Sequence, residues 1–126
     1  MDCDVVLYPR LAPPGAPIVS GEPTVLPSNR KFIVLRGPQR CVVAIGPDWD
    51  AGAYYHADLL KAAQGEFPDL AIRGGGHLRV TQDPMDGAKA WFHGRSTAFG
   101  VFDPVLRTTE VRLMLTRAMR CVVAVA

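Results

Sequence analysis

The sequence predicts an α+β domain, a mixed six-stranded sheet with one helix on each face. Three observations carry this prediction. The runs KFIVLRG (residues 31–37) and RCVVAIG (residues 40–46) are short and rich in β-branched residues, and the GPQ between them reads as a tight antiparallel hairpin. Their apolar residues are continuous rather than alternating. That is the pattern of strands buried on both faces, so each side of the sheet needs a cover. Two amphipathic helical patterns are available to supply it, which gives the α+β class.

Each element can be justified in chain order. CDVVLYPRL (residues 3–11) reads as a first strand. The segment that follows holds Pro13, Pro14, Pro17, Pro23 and Pro27. Proline removes a backbone donor and fixes φ, so this stretch reads as an irregular, polyproline-like loop and a candidate lid. After the hairpin comes the first helix, beginning near PDWDAGAYYHADLL, with Asp48 and Asp50 available to favour its positive end and Gly65 and Pro68 to stop it. DLAIRGGGHLRVTQD (residues 69–83) and AKAWFHGRS (residues 88–96) are two further strands. The second helix, DPVLRTTEVRLMLTRAM (residues 103–119), opens on an Asp-Pro start signal. Its Val111, Met114, Leu115, Ala118 and Met119 fall on one stripe, with Glu110, Arg112 and Arg117 off it. RCVVAVA (residues 120–126) closes the chain as a sixth strand. The pentapeptide RCVVA occurs at residues 40–44 and 120–124, and no repeat of 20 to 50 residues accompanies it.

Bulk properties set limits on function. The 126 residues are 48% hydrophobic and 21% charged, which excludes disorder and suits a single domain spanning residues 1–126. A net charge of +2 is too small for a nucleic-acid tracking surface. Arg107, Arg112, Arg117 and Arg120 have few aromatic companions, so no nucleic-acid partner is expected. Cys3, Cys41 and Cys121 are odd in number and widely spaced, without a metal-ligand pattern, and read as reduced buried thiols. The acidic start MDCDVV is unlike a secretory signal, and no apolar run is long enough to span a bilayer. A cytoplasmic monomer with no membrane partner is expected.

Four places could carry chemistry. His56, Leu60, Ala63 and Phe67 step by four, three and four, which turns His56 toward the sheet. A core histidine satisfied by one hydrogen bond is the plainest explanation. Its position in the opening turns of a helix also favours the neutral imidazole that a general base or nucleophile needs. RGGGHL (residues 73–78) lacks the Lys-Ser/Thr of a phosphate-binding Walker loop and reads as a turn or bulge. HGRSTAFG (residues 93–100) is a stronger anion site, because amides following a strand end can form a nest and Ser96 and Thr97 add hydroxyls. Lys31 opens a strand near that nest. His77 and His93 have no fixed-spacing partner and are not read as metal ligands.

In order, Lys31-Phe-Ile-Val-Leu, YYHADLL, RGGGHL and GRSTAFG, followed by a closing helix and strand, resemble the Janus/Ocnus family of protein phosphohistidine phosphatases. The likeness runs from about residue 31 to residue 120, and the YHAD and S-x-A-F-G segments are its most specific parts. It implies the same α+β fold. It also implies a phosphohistidine phosphatase, a hydrolase of N–P bonds in phosphohistidine and phospholysine, acting on a phosphohistidine-containing protein with no metal or other cofactor. His56 would be catalytic, and Lys31, Ser96, Thr97 and Ala98 would bind the phosphoryl group. The chain departs from the family where His77 follows the glycines and where Ile45 precedes Trp49, both positions that usually hold arginine. Arg95 is a candidate replacement for that charge. The alternative is a non-catalytic module of the same fold that binds a phosphorylated ligand without turnover.

Overall fold

The fold is seen in a computed structural model that describes residues 1–8, 11, 19–20, 27–49, 53–85 and 87–126. The strands are β1 (Asp2–Leu7), β2 (Val19–Ser20), β3 (Ser28–Arg36), β4 (Arg40–Ile45), β5 (Ala71–Asp83), β6 (Gly87–His93), β7 (Arg95–Ser96), β8 (Gly100–Val101) and β9 (Val122–Val125). Two α-helices, α1 (His56–Glu66) and α2 (Thr109–Met119), interrupt them. The six longer strands are the six expected from the sequence. β2, β7 and β8 have two residues each, too few for a side-chain period to mark them. Of the proline-rich stretch expected to be irregular (residues 12–30), Val19–Ser20 and Ser28–Arg30 are strand, so β3 starts before Lys31; Pro27 is also described, and the rest lies outside the described residues, as does Asp50.

One mixed sheet runs in the order β2-β1-β4-β3-β5-β6-β9. The β3–β4, β3–β5 and β5–β6 pairs are antiparallel, and the hairpin after β3 closes through Gly37 N–H to the Arg40 carbonyl at 2.8 Å. β1 joins β4 in parallel, and β9 joins β6 in parallel. The repeated RCVVA thus contributes to strands at different places in the sheet: all of β4's copy but only the last three residues of the other, in β9.

The continuous apolar runs do bury both faces. Phe32, Val34, Cys41, Val43 and Ile45 point to one side and meet Val111, Leu115 and Met119 of α2. Ile33, Leu35, Val42 and Ala44 point to the other and meet Leu59 and Ala63 of α1. On the α2 side, the Phe32 ring lies edge-on to Phe92 at 4.9 Å and tilted to Phe102 at 5.3 Å, aromatic geometries that add to the burial itself. Met114 and Ala118 flank the α2 stripe, as the spacing predicts.

Both helix starts differ from the expected ones. The helix expected over residues 103–119 is split: Pro104–Arg107 forms a 3-10 turn capped by Asp103, whose Oδ1 accepts from Val105 N–H at 2.9 Å. Thr108 is then extended and caps α2, its hydroxyl oxygen accepting from Val111 N–H at 3.4 Å. Two N-caps so close in sequence break the helical period between them. α1 begins at His56 rather than near Asp48, because Asp58 reaches back to accept the Tyr55 amide at 2.8 Å, the acidic half of a capping box. His56, Leu59 and Ala63 are the buried residues of α1, with Leu60 and Phe67 at the margin.

Candidate active site around His56

His56 is the first residue of α1 and is only 6% exposed. Its Nε2 lies 2.8 Å from the Gly76 carbonyl oxygen. A carbonyl only accepts, so Nε2 carries the proton and donates, and Nδ1 keeps the lone pair. Burial is the main cause holding the His56 pKa below the usual imidazole value; the Gly76 hydrogen bond opposes this and the nearby Lys31 charge assists it. The ring is therefore neutral near neutral pH, with one nitrogen basic.

The glycines of β5 make room for this ring. A Cβ on Gly75 would sit 3.1 Å from His56 Cδ2 and 2.5 Å from the Phe32 carbonyl oxygen. Gly74 has φ +75°, and a Cβ there would collide with the Val101 backbone. RGGGHL is thus neither a turn nor a phosphate loop but the middle of a 13-residue strand, with a register shift on the β3 side between Ile33 and Leu35. Glycine is needed because α1, β3 and β8 all approach this backbone closely.

The loop after β6 reaches the same place. β7 and β8 form a small hairpin, with Ser96 opposite Gly100, and β8 pairs with β5 where Val101 faces Gly75. Ser96 is 1% exposed, and its Oγ accepts the Phe99 amide at 3.1 Å. Phe99 packs on the α1-side cluster, while Thr97 and Ala98 stand exposed at the turn. Ser96 thus organises the turn from below, leaving the two residues after it at the surface. Arg95 is exposed, and strand alternation turns it away from the buried Ser96.

Lys31 lies on β3, and its Nζ sits 4.5 Å from the centroid of the Trp49 ring. Tyr54 and Tyr55 complete an aromatic cradle at 5.9 and 5.7 Å. The backbone at Lys31 is held as well: its amide donates to the Tyr54 hydroxyl at 2.9 Å, which donates to the Pro47 carbonyl at 2.7 Å. Burial lifts the Tyr54 hydroxyl pKa to about 12, so it stays a donor.

Sequence spacing gave no sign of the cross-strand row beside this site. Lys31 is in register with His77, and His77 with His93. The His77 ring stands edge-on to His56 with centroids 5.5 Å apart, and His93 follows at 6.0 Å from His77. Burial, and then the neighbouring imidazoles and Lys31, hold His77 below the usual value. No three His, Cys, Asp or Glu among the described residues converge as metal ligands. Ile45, by contrast, is fully buried on the α2 side, away from His56. Period-2 alternation from Lys31 and from the glycine strand would have found the row only with the register known. The aromatic cradle had no signal beyond the cluster of Trp49, Tyr54 and Tyr55 in the sequence.

Among the described residues, no helix is long and apolar enough to cross a membrane. Compared with known proteins, the sequence matches no family model and no curated protein.

Proposed function

We propose that this protein is a phosphohistidine phosphatase of the Janus/Ocnus type, hydrolysing N–P bonds with His56 as general base or nucleophile. The observation that carries the reading is the hydrogen bond from His56 Nε2 to the Gly76 carbonyl, which selects one tautomer of a buried, neutral imidazole beside a cationic lysine. A catalytic imidazole needs that fixed tautomer and depressed pKa. A core histidine would be satisfied by the same bond. It would have no reason to lie next to both Lys31 and His77.

In the hydrolytic route, Nδ1 takes a proton from a water whose oxygen forms a bond to phosphorus. The P–N bond breaks, and the leaving imidazole nitrogen of the substrate keeps the electron pair and is protonated. In the covalent route, Nδ1 itself bonds to phosphorus as the substrate's P–N bond breaks, the leaving nitrogen keeping the electron pair and taking a proton from solvent; water then attacks the phosphorylated His56, releasing phosphate and the free imidazole. The transition state for either is loose, so the protein contributes mostly position and charge. Lys31 offsets the phosphoryl charge, and the amides of Thr97 and Ala98 with the Thr97 hydroxyl supply donors for its oxygens, on a turn that Ser96 shapes from below.

The decisive assay is phosphate release from phosphohistidine, phospholysine and phosphoserine peptides, with and without EDTA. Release confined to the N–P compounds and indifferent to chelator supports the reading. No release together with tight binding of the phosphohistidine peptide favours the non-catalytic module. A cytoplasmic monomer acting on a phosphorylated protein is the setting this chemistry implies.

A further inference from the structure

α1 packs on β3 and β4, and among the described residues no helix lies over the same face of β5, β6 and β9. That face continues directly from the Lys31-His77-His93 row. One step along the strands, Asn29, Arg79, Trp91 and Ala124 are in register across β3, β5, β6 and β9. One step further, Thr81, Lys89 and Val122 are in register. A cavity of about 310 Å³ opens here, lined by Arg79, Thr81, Lys89, Trp91 and Ala124. No acidic side chain is among these residues, and neither Arg79 nor Lys89 takes part in an ion pair among the described residues. Trp91 is 41% exposed, its ring tilted against that of His93 with centroids 4.7 Å apart, and it offers a large apolar surface.

We infer that this groove binds the acidic polypeptide flanking the phosphorylated side chain, which makes it the specificity surface for a protein substrate. The inference rests on the proposed reaction at His56 for the position of the phosphoryl group. Successive rows on a strand face are about 6.6 Å apart, the spacing of alternate side chains in an extended peptide. A peptide lying along the groove with its phosphohistidine at the Lys31 row puts the side chain two positions away over Arg79 and Trp91. The side chain four positions away then falls over Thr81 and Lys89. Carboxylates at those two positions meet the two cations, and the chain between them packs on the indole. The net charge of +2 provides no extended cationic track beyond these rows, which disfavours an oligonucleotide.

The test uses fluorescent phosphohistidine peptides carrying Glu or Lys at two and four positions on either side of the phosphohistidine. Affinity is read by anisotropy and turnover by phosphate release. The Glu peptides are expected to bind about tenfold tighter than the Lys peptides, and the double variant Arg79→Glu/Lys89→Glu to reverse that order. Turnover of free phosphohistidine and the melting temperature should be unchanged in the variant. Equal affinity for Glu and Lys peptides, an unreversed order in a folded variant, or stronger competition by single-stranded RNA than by the Glu peptide each overturns the inference. Because affinity is measured apart from turnover, absence of phosphate release from every peptide overturns the reaction at His56 while the charge preference is still read.

Discussion

Replacing His56 by alanine removes two things whose sizes can be worked out separately. The first is the hydrogen bond to the Gly76 carbonyl. Losing a buried bond and leaving its acceptor unpaired costs about 1–3 kcal/mol, so about 2 kcal/mol is expected. With an unfolding entropy of about 2.1 cal/mol/K per residue, 126 residues convert that loss into a fall in Tm of about 7–8 °C. The second is the basic nitrogen. General acid–base catalysis is worth about 10²–10⁴-fold, so phosphate release should fall by that factor, about 3–5 kcal/mol of barrier. His56→Gln separates the two. A glutamine amide can donate to Gly76, so most of the melting temperature should return, whereas turnover should stay as low as in the alanine variant. Circular dichroism melts and phosphate release from a phosphohistidine peptide, run on the same preparations, read both quantities. If His56→Ala melts lower but keeps turnover within tenfold of the wild type, the imidazole is a core residue and the assignment is wrong.

Lys31→Ala should raise KM for the phosphorylated peptide about tenfold, roughly 1.4 kcal/mol of binding, with a smaller change in kcat; an unchanged KM removes Lys31 from the site. Stability should fall with acid, because burial holds both His56 and His77 below the usual imidazole value. The neutral native forms contribute fully above the unfolded value of about 6.5 and lose that contribution as pH drops through it toward the lowered native values. Urea midpoints between pH 7.5 and 5 should therefore decline, and the decline should flatten in a His56→Gln/His77→Gln variant. Leu115→Ala, at a fully buried position on the α2 side, should cost about 2–5 kcal/mol in urea unfolding without altering KM.

Much of the fold was legible because it follows from local pattern. The unbroken apolar runs of β3 and β4 required two covers, and the α2 stripe at Val111, Leu115 and Met119 identified one of them. The glycine strand was harder to read, since three glycines are equally good for a loop. Only the close approach of His56, Phe32 and the β8 backbone explains why glycine stands there in a strand. Helix starts were misplaced for a related reason. Several Asp and Thr residues could serve as caps, and the competition between Asp48 and Asp58, or between Asp103 and Thr108, is settled by where the chain must turn to meet the sheet.

The sequence by itself determined the layer order, the inward direction of His56 and the small turn that follows Ser96, because side-chain period and turn chemistry are properties of neighbours in the chain. Only the tertiary structure decided that Lys31, His77 and His93 form one row, that Nε2 of His56 meets Gly76, and that a cationic groove lies beside them. Strand register is set by the packing of the whole sheet, and no short segment encodes which residues of distant strands will stand side by side.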